Sequence, residues 1–170
     1  MRFKFIANAC GIFLGSKGTK LLMDPWLDDG VFEGSWCHFP PLKTKHFDLQ
    51  DVDIIYLSHI HPDHYDQRFF NYRKDIPILV LKNKHNFLVR NLIKDGYTNI
   101  LQLEESQKYE FKEFSLTLFE PFAKGVFHDS NLGNLIDSAL VVEDINGTKA
   151  FNANDNTPTL DACKKLKLKF

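Results

Sequence analysis

Three imidazoles and a carboxylate fall within the six residues His59-Ile60-His61-Pro62-Asp63-His64. Such a concentration of ligand types is costly to fold around unless something binds it. If the chain is extended there, His59 and His61 project to the same side and one metal ion can accept both. Pro62 holds His61 out of the helical region and turns the chain, which lets Asp63 and His64 face a neighbouring position. The spacing therefore suits two adjacent metal ions, or one ion with Asp63 as a general base. A divalent cation lowers the pKa of a bound water to about 7, so the chemistry on offer is hydrolysis by a metal-activated hydroxide at neutral pH. The competing reading is a polar surface loop that holds its histidines by chance.

A loop of this kind needs a rigid element behind it. Val52 to Ser58 is a nearly continuous apolar run with one charge near its start, the pattern of a strand covered on both faces, and the histidines begin where it ends. Downstream, Asp66 to Lys74 reads as a helix, Ile76 to Leu81 as a second buried strand, and Lys84 to Asp95 as an amphipathic helix stopped by Gly96. This is an α/β rhythm. Upstream, Arg2 to Ala7, Cys10 to Leu14 and Thr19 to Met23 read as a meander of strands with a turn at Gly15-Ser16-Lys17-Gly18. Residues 25 to 50 form a long irregular loop with Trp26, Phe32, Trp36 and Phe39 as aromatic anchors.

From Ile100 the pattern returns to strands: Ile100 to Leu103, Tyr109 to Phe111, Phe114 to Phe119, Ala139 to Glu143 and Lys149 to Asn152. The last two are joined across Asp144-Ile145-Asn146-Gly147, whose Asn-Gly pair marks a hairpin. Gly125 to Asp137, with Asn131, Gly133 and Asn134, reads as a loop over the metal edge whose polar residues are candidate substrate contacts. A final helix starts near Thr157-Pro158 and runs through Leu160, Cys163 and Leu166.

The 170 residues, 44% hydrophobic and 14% aromatic, are enough for one domain with a substantial core. A net charge of -1 with both signs interspersed gives no footprint for nucleic acid or a membrane surface. The basic run Lys164 to Lys169 reads as a solvated helix face. Three scattered cysteines, Cys10, Cys37 and Cys163, fit a reducing compartment, and with no apolar stretch of signal or spanning length the expectation is a cytoplasmic protein. His38, His46 and His85 sit in loop or helix-face contexts and read as structural or solvated. No phosphate loop, dinucleotide fingerprint or Gly-x-Ser-x-Gly elbow is present. Ser58 reads as packing behind His59.

His59-x-His61-x-Asp63-His64 resembles the signature of the metallo-β-lactamase superfamily. Leu22-Met23-Asp24-Pro25-Trp26-Leu27, the aromatic loop Phe32 to Pro41, Ile54 to His59 and Phe151 to Asn156 together resemble the lactamase-like domain of the CMP-N-acetylneuraminate hydroxylase family and its bacterial relatives, over roughly residues 20 to 158. The resemblance implies an α/β chain of the α+β type, folded as a metallo-β-lactamase αββα sandwich with residues 1–170 as a single domain and the metals at one edge. It implies His59 and His61, with His128, on a first metal, and Asp63 and His64 on a second. Asp155, after the strand Lys149 to Asn152, would bridge both, since two cations a few ångströms apart need an anion between them. Asp24 would orient a ligand imidazole from behind. Each acid also has a plainer reading, Asp155 as a turn or helix cap and Asp24 as an Asp-Pro turn.

Two departures from the family stand out. The hydroxylase carries a Rieske cluster held by Cys-x-His pairs, which three scattered cysteines cannot supply. The superfamily also has a late histidine for the second metal, and no histidine follows residue 128 here. The chain is then either an incomplete fragment of a longer one, truncated to the N-terminal half plus part of the second sheet, or a form with a reduced second half. The functional expectation is a hydrolase that uses one or two zinc ions, with iron or manganese as alternatives. Its small-molecule substrate is an ester, amide, lactone or phosphodiester, by analogy a sugar or nucleotide-sugar derivative of carbohydrate metabolism. The alternatives are a non-catalytic binding or assembly domain stabilised by metal, and an iron-dependent oxidase of the same fold.

Overall fold

A computed structural model describes residues 1–70, 74–83, 86–121, 137–156 and 158–166. Strands β1 (Arg2–Ala7), β2 (Cys10–Leu14) and β3 (Lys20–Met23) form the expected antiparallel meander. β3 then pairs in parallel with β4 (Ile54–Tyr56). After α1 (Gln67–Phe70) come β5 (Ile78–Leu81), α2 (Phe87–Lys94) and β6 (Ile100–Leu103), and the parallel pairing continues from β4 to β5 and from β5 to β6. The result is a six-stranded sheet in the order β1-β2-β3-β4-β5-β6. β7 (Lys108–Phe111), β8 (Phe114–Phe119), β9 (Ala139–Asp144) and β10 (Lys149–Asn152) make a four-stranded antiparallel sheet in the order β10-β9-β8-β7, and α3 (Leu160–Lys165) follows.

Alternation along the strands explains how the layers stack. Leu22, Ile55, Leu57, Ile78 and Val80 pack on one side of the large sheet with Leu88, Val89 and Leu92 of α2. Their neighbours Leu21, Met23, Ile54, Tyr56 and Leu79 point the other way, against Phe114, Leu116, Leu118, Leu140 and Val142 of the small sheet. β4 and β5 are buried on both faces, so they read as unbroken apolar runs rather than alternating ones. The outcome is a two-sheet αββα-like sandwich with limited helical content.

The register between the sheets is held by polar pins. The Tyr56 hydroxyl donates to the Ser138 carbonyl at 2.9 Å, which sets the start of β9 over the end of β4. Asn152 Nδ2 lies 3.2 Å from Met23 Sδ, which sets β10 beside β3. At the opposite end, Glu113 in the β7–β8 turn accepts hydrogen bonds from the Lys17 and Thr19 amides and the Ser16 hydroxyl, tying down the β2–β3 turn. Gly15 is required there, since a Cβ would sit 2.1 Å from the Glu113 carboxyl carbon.

Several elements differ from expectation. Strand β4 ends two residues early by ladder geometry, although Leu57 still donates to the Leu79 carbonyl at 3.1 Å. The long loop is anchored by Trp26, 4% exposed, and carries one 3₁₀ turn at His46–Leu49. Phe39 is no anchor, being 96% exposed. The helix read over Asp66 to Lys74 is described only for Gln67–Phe70, where Asp66 Oδ1 accepts the Arg68 amide at 3.0 Å. The second helix starts at Phe87, after Asn86 at a left-handed φ of 42°, and Gly96 ends it with φ 88° as its composition suggested. The last helix begins at Leu160, Thr157 lying outside the described residues. Among the described residues no helix is long and apolar enough to cross a membrane.

Candidate metal centre

The centre is assembled where β3 and β4 end. Asp24 follows β3 at a left-handed φ of 40° and is fully buried. Its carboxylate accepts the Ser58 amide at 2.8 Å and the Ser58 hydroxyl at 3.0 Å. Taking that amide out of the ladder ends the strand and turns the chain outward at His59. After Pro62 the chain turns tightly, the His61 carbonyl accepting the amides of His64 at 2.9 Å and Tyr65 at 2.8 Å.

The two buried imidazoles are oriented alike. His64 Nδ1 lies 3.2 Å from Asp24 Oδ2 and 3.3 Å from Ser58 Oγ. His59 Nδ1 lies 2.9 Å from Ser58 Oγ and 3.4 Å from Asp137 Oδ1. With Nδ1 engaged from behind, each ring presents Nε2 to a common point. Asp155 Oδ2 is 3.5 Å from both Nε2 atoms. His61 Nδ1 converges on His59 Nε2 at 2.8 Å, and Asp63 Oδ2 sits 3.5 Å from His64 Nε2. Ligand atoms of His59, His64 and Asp155 lie within 4.8 Å of one another.

The loop that carries Asp155 is built for that placement. Asn152 Oδ1 accepts the Asn154 amide at 3.0 Å, Asn154 adopts φ 57°, and the Asn156 amide closes on the Ala153 carbonyl at 3.0 Å. Asparagine tolerates this conformation better than most residues, which suits it to position 154. Asn154 Nδ2 then donates to Asp24 Oδ2 at 2.8 Å, coupling the loop to the carboxylate behind His64.

The two buried rings differ in charge. Burial, with the charges of His64 and His61, pushes the His59 pKa down to about 2, so this ring is neutral and able to coordinate. Burial also opposes charge on His64, but the hydrogen bond and charge of Asp24, with Asp63 and Asp155, outweigh it and raise its pKa to about 9. Without a cation, His64 carries a proton there that a metal would replace. Asp137 is lifted to about 7, chiefly by burial, with Asp155 and Asp24 adding to the rise and the Ser138 amide opposing it. Imidazole nitrogens facing a cluster of carboxylates are a donor set that can hold a divalent ion.

Of the residues expected at the centre, His59, His64 and Asp155 bring ligand atoms within 4.8 Å of one another, His61 touches His59, Asp63 lies 3.5 Å from His64, and Asp24 and Ser58 stand behind the rings. His128 and His85 lie outside the described residues, as does the 125–136 stretch of the expected loop. His38 and His46 stand apart, bonded at 2.8 Å to Asp29 and Asp28 respectively. Sequence reasoning missed three supports. Asn8, in the β1–β2 turn at φ 49°, donates to Asp63 Oδ2 at 3.0 Å. Asn154, within the Phe151 to Asn156 resemblance, donates to Asp24, and Asp137, at the end of the expected loop, faces His59 Nδ1. No local pattern marks any of them, because each reaches the centre through the tertiary fold.

No protein-family profile matches the chain. It is 32% identical over 157 residues to a "Putative Rieske 2Fe-2S iron-sulfur protein" of Mycolicibacterium smegmatis, an alignment covering 87% of this chain and 28% of that protein. It is 35% identical over 82 residues to the cytidine monophosphate-N-acetylneuraminic acid hydroxylase of Danio rerio, covering 45% of this chain and 14% of that one. The chain thus spans 28% of the length of the first of these relatives and less of the second. Among solved structures, a possible metal-dependent hydrolase from Veillonella parvula superposes with a TM-score of 0.78 at 20% identity, over 97% of this chain and 66% of that one. An isothiocyanate hydrolase from Delia radicum gut bacteria gives 0.77 at 22% identity, over 98% and 67%. These likenesses show a metallo-β-lactamase fold, partial relative to the full arrangement.

Proposed function

We propose that the chain is a metal-dependent hydrolase whose centre is formed by His59, His61, Asp63, His64 and Asp155, with His128 as a further ligand. The observation that carries this reading is the Asp155 carboxylate, 3.5 Å from Nε2 of both His59 and His64. His59 and His61 would hold one cation and Asp63 and His64 a second, with Asp155 shared between them. Zinc is the ion best suited to imidazole and carboxylate ligands in hydrolytic chemistry. Bound there, the ion supplies a Lewis acid and a hydroxide nucleophile at neutral pH.

The protein's own groups do the positioning. Asp24 and Ser58 hold the Nδ1 sides of the imidazoles so that the Nε2 sides face inward. Asn8 fixes the Asp63 carboxylate, which serves as general base in a one-ion centre. Turnover of a neutral ester or lactone by metal-loaded protein, abolished by chelation and in a His59→Ala, His61→Ala variant, is the expected result. Turnover insensitive to chelator overturns the proposal.

The sequence similarity to a hydroxylase favours a second reading, an iron-dependent oxygenase on the same centre. The ligand set suits iron as well, and metal analysis separates the two. A Rieske cluster has no place within this chain, whose three cysteines form no Cys-x-His pair.

A further inference from the structure

The aromatic loop reaches the centre through one short hairpin. Val31 and Trp36 pair as an antiparallel bridge, the Trp36 amide donating to the Val31 carbonyl at 3.2 Å and the Gly30 amide to the Trp36 carbonyl at 2.7 Å. Phe32 and Glu33 make its turn at φ 52° and 58°, a left-handed conformation that is costly for a bulky aromatic side chain. Asparagine or glycine would make such a turn more easily. Phenylalanine there sets its ring centroid 4.7 Å from that of Trp36 and 6.5 Å from that of the expected ligand His61.

The hairpin is held at its base. Arg68 of α1 pairs with Asp66 through Nε at 2.9 Å, and donates from Nη1 to the Asp29 carbonyl at 2.8 Å and from Nη2 to the Asp28 carbonyl at 2.6 Å. The Trp26 indole donates to the same Asp28 carbonyl at 2.7 Å, and His38, bonded to Asp29, lies against Trp26 with ring centroids 4.1 Å apart. The segment that follows the metal loop is thereby bolted to the loop that carries the hairpin. None of these contacts involves the small sheet. They leave a strip of rings running from Trp36, 47% exposed, through Phe32 to the exposed His61. A planar ring entering the centre would meet aromatic faces and edges on this strip, the setting in which aromatic pairs attract beyond the burial of their area.

We propose that Phe32 and Trp36 determine substrate specificity by seating an aromatic ring that adjoins the scissile bond, on the His61 side of the centre. The inference rests on the hydrolase reading and narrows its substrate to an ester, amide or lactone that carries an aryl group at the reactive carbon.

Benzohydroxamate and cyclohexanecarbohydroxamate separate the two claims. They share a metal-binding head group and carry rings of similar size, but only one ring is flat and aromatic. Dissociation constants on zinc-loaded protein are expected to favour benzohydroxamate by about 2- to 10-fold, although burial of area alone gives it no advantage. The preference is expected to vanish in Trp36→Leu and in Phe32→Gly, since glycine suits the positive φ and keeps the turn while removing the ring. Equal affinity for the two compounds, or a preference that either variant retains, overturns the assignment of the hairpin, while zinc-dependent binding of the head group keeps the hydrolase reading. Failure of both hydroxamates to bind overturns both.

Discussion

His64 Nδ1 lies 3.2 Å from Oδ2 of Asp24, a fully buried carboxylate forty residues earlier in the chain. The same carboxylate accepts the Ser58 amide and hydroxyl and the Asn154 side chain, so one acid fixes a ligand ring, the end of a strand and the loop that presents Asp155. Asp24→Asn keeps the shape but removes the charge that holds His64 in place. Metal affinity, measured by competition with a chelating dye, is expected to fall about 10- to 100-fold. Unchanged affinity would mean that His64 is not a ligand.

The Asp155 side chain is 56% exposed, and its contacts among the described residues are with the rings of His59 and His64. Asp155→Asn should therefore leave the thermal midpoint of the metal-free protein nearly unchanged, as surface substitutions do, while lowering the number of ions bound per chain. A stoichiometry equal to that of the parent would remove Asp155 from the centre.

Glu113 sets an acid limit on stability. Burial favours its neutral form, but the Lys17 and Thr19 amides with the Thr19 and Ser16 hydroxyls outweigh that and lower its pKa from 4.5 to about 2. A carboxyl with a depressed folded pKa stabilises fully above its unfolded value and loses that contribution as pH falls from about 4.5 towards 2. Urea melts at pH 7, 4 and 3 should show the parent losing stability across this range, with Glu113→Gln less stable at pH 7 but flatter on acidification. Parallel slopes for the two proteins would contradict the clamp.

Leu79, fully buried between the sheets, tests the sandwich itself. Leu79→Ala is expected to cost about 2–5 kcal/mol in urea unfolding, the usual range for a core leucine. A loss under half a kilocalorie would mean that the two sheets do not close on this side chain.

Much of this was legible in the chain. The unbroken apolar run around Ile55 announced a doubly buried strand, and His59-x-His61-x-Asp63-His64 announced ligands at its exit, because both signals are local and periodic. The Asn-Gly hairpin between β9 and β10 followed from turn chemistry alone. Asn8 and Asp137 were not legible, since each meets the centre across more than fifty residues of sequence through contacts that no spacing encodes. The starts of α1 and α2 are set by side-chain hydrogen bonds two and three residues apart, which hydrophobic periodicity does not show. Asp66 is drawn to Arg68, and Asn83 and Asn86 bond each other ahead of the helix. Phe39 is exposed rather than an anchor, because an aromatic residue carries the same local pattern in either setting.

The most direct measurement is elemental analysis of the chain purified without added metal, beside its His59→Ala, His61→Ala variant. The account predicts at least one transition-metal ion per chain in the parent, removable by chelator and restored by zinc, and none in the variant. A parent chain that is metal-free and takes up no zinc, iron or manganese on addition would contradict it.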